Sequence, residues 1–436
     1  MNDFVVIGSG MAACGAIYEM RQHGVAPVVL DGAEDPGGHT KTRVYQGGWT
    51  FDEGPHISFT RDSRIQEILA DNIDGDYLTL RASVDNYWQG HWIKHPAQVN
   101  LHGLPDDLIV SCIEDFIAAM SREPDGATDY EAWLRSAYGD TFAETFPMQY
   151  TRKSHTTEAA NLTTDWIGPR MYKPSLDEVL RGAVAPQQAD FHYIDHYRYP
   201  RQGGFFSYVR PFLEKTDLRL SSRVVRIDAA ESTLALADGS VVGFHRLVST
   251  MPLPDLVRAI VDVPADVEEA AGRLAASSVV LVNVGIGRDD FTESSWTYFY
   301  DADYSITRLS YPQVFSPENV PPGCGSFQAE LYFSDKYRPL QVDPEGLVDQ
   351  VTADLRRCGL IEEGEPILHT STMYVPYANI IYDHERAEAL ETVLGFVYAL
   401  GIATAGRYGL WGYQWTDEAF ASGETAARQV VTGSSG

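Results

Sequence analysis

The sequence predicts an α/β chain in which a Rossmann-like parallel-sheet unit is joined to a helical insertion and a mostly antiparallel β-sheet domain. Three observations carry this: a strand–glycine–helix–strand run at the amino terminus, long amphipathic segments between residues 105 and 190, and a series of strands from about 275 to 376. In the first, "FVVIGSGMAACGAIYEMRQHGVAPVVLDG" reads as a buried strand at 4–7, a glycine turn, a helix over 11–23 and a second buried strand at 27–30. Gly8 allows the tight turn, Gly10 lets backbone approach a pyrophosphate, and Ala13 keeps the helix close to the strand. Ser9 and Met11 complete the turn, and the helix start offers free N–H groups to phosphate. Asp31 ends the second strand, where a carboxylate accepts from ribose hydroxyls.

These elements in this order are a dinucleotide-binding signal. A glycine pair follows the acid directly, in "PGG" at 36–38, and resembles the pattern of amine-oxidase-like and glutathione-reductase-like flavoproteins. FAD is therefore expected rather than NAD, with Gly38 and His39 at its site.

In the insertion, "DDLIVSCIEDFIAAMSRE" and "DYEAWLRSAYGDTFAETF" have apolar residues three and four apart, as helices require. In "LRLSSRVVRIDAAESTLALADGSVVGFHRLVSTMPLP", strands alternate around Asp238-Gly239, a hairpin that returns through a buried strand at 247–250 and closes the dinucleotide sheet. Val225 in that hairpin is placed with the cofactor residues. The later strands include "SVVLVNVGI", "SSWTYFYD", "SITRLSYP" and "SFQAELYF", and "LVDQVTADLRRCGL" adds a helix. The expected division assigns 1–80, 205–255 and 390–436 to the dinucleotide domain, 105–190 to the insertion, and 81–104, 191–204 and 256–389 to the substrate domain.

Asp and Glu outnumber Lys and Arg by 61 to 33, and the formal charge of −28 argues against nucleic acid or an anionic membrane as partner. An anionic substrate would need locally clustered arginines. Four scattered cysteines suggest neither a zinc knuckle nor a disulfide framework. No apolar run approaches the roughly 20 residues of a membrane span, so the expectation is a soluble, cytoplasmic protein, with a homodimer among the possibilities.

"FDEGPHISFTRD" at 51–62 sets His56 behind a Gly-Pro pair, and its "GPHI" resembles the flavin-facing segment of the UDP-galactopyranose mutases and related polysaccharide-locus oxidoreductases. "YTRKSH" at 150–155, followed by Arg170 in "DWIGPRMYKPSL", is similar to that family's mobile loop with its diphosphate-binding arginine. Arg308 in "YSITRLSYP" stands where the family has a second such arginine, and "GRYGLWGYQWTDEAFASGETAA" resembles its carboxy-terminal flavin motif, with Gly406 and Arg407 on the cofactor. The resemblance implies a sugar-nucleotide pyranose–furanose mutase, with a nucleoside-diphosphate sugar as substrate. Its catalytic residues would be His56, Arg170, Arg308, Tyr377 and Tyr413, and Tyr150, His155, Arg170, Arg308 and Tyr377 would contact substrate.

Two departures point away from uridine: His155 stands where the family has tryptophan, and Trp415 where it has an acid. A GDP-sugar is the first expectation. Asn379, Asp383 and Arg386 read as a cap and ion pair at a helix start. His192, Asp195 and His196 have the ligand chemistry of a divalent metal site, but lie in a strand-like segment where they do not face one way. That segment leads to a Gly203-Gly204 turn expected near the flavin. The alternatives are a flavin oxidase or dehydrogenase of the amine-oxidase type, a flavin-free mutase dependent on Mg or Mn, and a non-catalytic sugar-nucleotide binder.

Overall fold

A computed structural model describes residues 2–120, 127–168, 171–187 and 194–433 of the 436-residue chain. Two seven-stranded sheets dominate it. The first is built on Asn2–Ile7, which pairs in parallel with Val28–Leu30 on one side and Val241–Ser249 on the other. Asp217–Arg219 and Ile402–Thr404 extend the parallel part. The hairpin strands Val224–Asp228 and Thr233–Leu236 join it antiparallel. Val5, Val6, Val29, Leu30 and Val248 are completely buried, as expected for strands covered on both faces.

The first helix, Met11–Gln22, lies against the long carboxy-terminal helix Thr416–Thr432. Two glycines set the contact. A Cβ on Gly15 would stand 1.9 Å from the Phe420 carbonyl oxygen, and one on Gly423 would stand 1.8 Å from that of Ala12. The backbones touch, so the last helix of the chain is locked onto the helix whose N-terminus faces the cleft.

The second sheet runs in the order Ile367–Ile380, Ala276–Ile286, Gly325–Phe333, Arg308–Ser310, Trp296–Phe299, Val84–Trp88 and His91–Lys94. All its pairings are antiparallel except that of Trp296–Phe299 with Val84–Trp88. Alternation sorts its faces. In Gly325–Phe333, Phe327, Ala329 and Leu331 pack with Val351 and Leu355 of the helix Val348–Arg357. Glu330 and Tyr332 point the other way, into a large cleft between the two sheets.

The insertion supplies the helices Asp106–Met120, Tyr130–Tyr138, Asp140–Thr145, Pro147–Ser154 and Leu176–Val184. "DYEAWLRSAYGDTFAETF", expected as one helical segment, is broken at Gly139 (φ +83°). A Cβ there would come within 2.6 Å of the Asp115 backbone, so only glycine allows that approach and the chain turns. All four cysteines are free. No helix among the described residues is long and apolar enough to cross a membrane.

Candidate active site

A single cleft of about 1410 Å³ runs from the glycine turn of the parallel sheet to the polar face of the antiparallel one. At its first end Gly8 has φ +99°, and a Cβ there would strike the Thr250 hydroxyl. Gly10 caps the helix Met11–Gln22, which has no acidic residue in its first turn to compete with a bound anion. Gly38 (φ +54°) packs so closely that its Cβ would be 3.0 Å from the Gly10 Cα. Buried Ser9 donates to Asp31 and accepts from the Gly37 N–H at 3.0 Å, and the other Asp31 oxygen accepts from the Ala33 N–H at 2.8 Å. Ser9 thus ties the turn, the ribose-type acid and the second glycine segment together. Side chains at Gly8 or Gly38 would destroy this cradle, and its free N–H groups suit a dinucleotide diphosphate, so the residues present fit FAD.

His39 and Val225 line the same end. The His39 Nδ1 lies 2.8 Å from Glu53, whose carboxyl stays below its usual range because His39 and Lys41 outweigh its burial. Gly406 has φ +86° and sits against Ala12. Arg407 donates to the Gln414 carbonyl at 2.9 and 2.6 Å and to that of Ala378 at 3.3 Å, so it organises the carboxy-terminal loop as well as facing the cleft.

His56 borders the cleft, and its Nδ1 stands 3.0 Å from the Gly54 carbonyl. A carbonyl accepts only, so Nδ1 carries the proton and Nε2 is the acceptor. Enclosure pushes its pKa down to about 4, keeping it neutral. The Gly203-Gly204 turn lies behind it and does not line the cleft. A Cβ on Gly204 would collide with Thr42 and Asp52, and Phe205 carries the His56 ring at 5.6 Å.

The second end is aromatic. Tyr150 meets Tyr298 edge-on at 5.2 Å, and Tyr413 stacks on Trp166 at 6.2 Å. Buried His155 lies 5.1 Å from Trp166, with Nδ1 3.0 Å from the Ser154 hydroxyl, and burial lowers its pKa to about 4. Trp415 stands edge-on to Phe59 at the rim. The Tyr377 hydroxyl donates to Asp255 at 2.9 Å, and the Tyr413 hydroxyl to Asn379 at 3.2 Å. Arg308 grips Glu330, its register partner on the next strand, with contacts of 2.9, 3.0 and 2.7 Å. Tyr332 also donates to Glu330. Burial raises the pKa of Tyr150, Tyr298 and Tyr332, so all three stay protonated donors at neutral pH.

The structure therefore brings His56, Arg308, Tyr377, Tyr413, Tyr150 and His155 to one cleft with the glycine cradle. Arg170 and His192 lie outside the described residues. The His196 Nδ1 lies 2.9 Å from the exposed Asp195 carboxylate, and neither residue lines the cleft. Among the described residues no three His, Cys, Asp or Glu side chains come together as metal ligands, so the divalent-metal alternative finds no protein ligand set there. The expected cap and ion pair at 379–386 is also replaced. Asp383 takes Lys336 and Tyr337, whereas Arg386 donates to the Trp411 carbonyl. A buried carboxylate recruits the nearest cation in space, and that cation comes from another loop. Sequence reasoning missed Glu330, Tyr298, Tyr332 and His95. The one available signal was the acid at the centre of the otherwise uncharged "SFQAELYF".

The profile of the family described as flavin containing amine oxidoreductase matches residues 9–431, and the chain belongs to that family. Its fold is similar to that of a reduced UDP-galactopyranose mutase, with TM-score 0.93 at 21% identity, covering 100% of this chain and 97% of the other. A protein from an Exiguobacterium strain, provisionally described as a protoporphyrinogen oxidase, superposes with TM-score 0.76 at 16% identity, covering 99% of each chain. A redesigned putrescine oxidase gives TM-score 0.66 at 15% identity, again covering 99% of each.

Proposed function

We propose that this chain is an FAD-dependent pyranose–furanose mutase, an isomerase acting on a nucleoside-diphosphate hexose. The observation that supports this most is the charge balance of the cleft. The described lining holds four carboxylates (Asp31, Glu53, Asp255 and Glu330) and four arginines (Arg223, Arg258, Arg308 and Arg407), in a chain whose formal charge is −28. A neutral cavity in so acidic a protein favours anionic ligands such as FAD and a sugar nucleotide. A cationic amine would need an unpaired carboxylate or a negative field. At the aromatic end Glu330 is paired with Arg308 and Asp255 with Arg258.

What a bound reduced flavin would supply is a nucleophile for the anomeric carbon, without net redox change. The chain's own residues do the rest. The forked Arg308 and the protonated tyrosines hold the diphosphate as leaving group and keep it for return. His56, fixed as an Nε2 acceptor, orients groups beside the isoalloxazine site. The aromatic set of Trp166, Tyr413 and His155 supplies a stacking surface with polar edges for the base.

The test is anaerobic incubation of reduced protein with UDP-galactose, GDP-mannose and dTDP-glucose, with chromatography for a furanose isomer. Turnover without flavin oxidation is expected. Stoichiometric flavin reduction by an amine or alcohol would replace this reading by the oxidase one. Competition among GDP, dTDP and UDP addresses the base. A polar His155 favours a base with more groups to read, so GDP should bind tightest, and UDP binding tightest would overturn that choice.

A further inference from the structure

Lys153 belongs to the segment that carries Tyr150 and His155, yet it does not line the cleft. Its side chain is buried and turns its ammonium into the neighbouring sheet. Nζ donates to the carbonyls of Phe299 at 3.1 Å, Asp301 at 2.8 Å and Ile306 at 2.6 Å. Three N–H donors meet three acceptors, so the ammonium is fully used. All three carbonyls come from residues 299–306, where the chain passes from the strand Trp296–Phe299 to the strand Arg308–Ser310. Burying an ammonium is costly, and here the cost is met by fixing one turn of the sheet to one helix.

The same residue is held at its other end. The Lys153 carbonyl accepts from Arg338 Nη2 at 2.7 Å, and that nitrogen also donates to the Tyr332 carbonyl at 2.8 Å. Residue 153 is thus tied by its side chain to the strands of Tyr298 and Arg308, and by its backbone to the strand of Glu330 and Tyr332. Tyr150 stands three positions earlier on the helix Pro147–Ser154, hence on the same face. Its ring meets Tyr298 at 5.2 Å and Tyr300 at 6.2 Å. Tyr298 is in turn the register partner of Arg308. One helix face therefore touches the sheet at two points, an aromatic one in the cleft and an ionic one behind it.

We infer that Lys153 is a positioning residue: its ammonium pins the helix carrying Tyr150 to the sheet carrying Arg308, and so sets the spacing of two side chains that grip the diphosphate. This rests on the sugar-nucleotide reading of the cleft. Burial pulls the Lys153 pKa down to about 7, with Arg338 adding to the shift and Asp301, Asp354 and Asp303 opposing it. Below that pH Nζ serves all three carbonyls, and above it one is left without a donor.

The test is a double-variant cycle, read by calorimetric titration of GDP-mannose, UDP-galactose and dTDP-glucose into the holoenzyme at about pH 6. Lys153→Met keeps the length of the side chain and removes its donors, and Tyr150→Phe keeps the ring and removes the hydroxyl. Lys153→Met should weaken the tightest-binding conjugate about tenfold in the wild-type background and less than about twofold in Tyr150→Phe, where the hydroxyl it positions is already gone. A merely structural lysine would lose the same factor in both backgrounds. That result, or no loss in either, overturns the inference. A second measurement leaves Lys153 in place and holds even where Lys153→Met does not fold. Between about pH 6 and pH 8 the affinity of the wild type for the conjugate should fall while that of Tyr150→Phe stays level, and parallel curves overturn the inference. If the wild type binds none of the conjugates, it is the sugar-nucleotide reading itself that fails.

Discussion

Replacing Arg308 by alanine tests the clamp and the fold together, and the structure says how to separate them. The Arg308 side chain is 28% exposed and that of its partner Glu330 only 2%. Deleting the arginine strands a buried carboxylate, a change that costs roughly 3–5 kcal/mol. Tyr332 still donates to Glu330, which places the expected cost near the lower end. For a chain of 436 residues this is a fall of roughly 3–5 °C in melting temperature. Weakened activity in Arg308→Ala would thus mix lost folding with lost binding. The double variant Arg308→Met with Glu330→Gln removes both charges and keeps comparable volume, and it should return to within about 1 kcal/mol of wild-type stability. It should not regain diphosphate affinity, which falls with the loss of a charge-assisted contact of roughly 1–3 kcal/mol. Thermal melts and calorimetric titration of the diphosphate on wild type, single and double variants form the assay. A single variant as stable as wild type, or a double variant that binds diphosphate normally, would refute the reasoning.

Acid should destabilise the protein through its neutral buried histidines. His155 has a folded-state pKa near 4 against 6.5 for an open histidine, so between those values the unfolded chain binds the extra proton. Stability is then full above about pH 6.5, falls as pH drops to about 4 and levels off below, with a ceiling of roughly 3 kcal/mol for this residue. His56 acts in the same direction. Urea denaturation of His155→Phe at pH 7 and pH 4.5 should show a smaller difference than wild type, and an identical difference would count against a neutral buried His155. Gly423→Val should cost roughly 3 kcal/mol, the upper end of overpacking, because its side chain strikes the Ala12 backbone. It should also lower flavin content after purification, whereas Thr425→Val, on the exposed side of the same helix, should leave flavin content unchanged.

The residues themselves dictated whatever depends on neighbours close in sequence. The strand at 4–7, its glycine turn, the helix after it and Asp31 span fewer than thirty residues, and each follows from the steric freedom of glycine, the helical period and strand burial. The hairpin at Asp238-Gly239 and the alternating strands of the second sheet were legible for the same reason, because a period of two is written in the side chains. The arginine and tyrosine candidates came from resemblance, and Arg308 did prove to lie in the cleft. What no local pattern contains is which residue meets which across the fold. Glu330 reaches Arg308 through strand register, and Asn86 reaches Tyr300 across 214 residues. Gly423 touches Ala12, more than 400 positions away. Asp383 takes a lysine from another loop instead of the arginine three residues on. Such pairs are chosen by the closing of two sheets around one cavity, where a buried charge or amide must find a partner or pay its full desolvation. That requirement acts on distance in space, and the sequence records only distance along the chain.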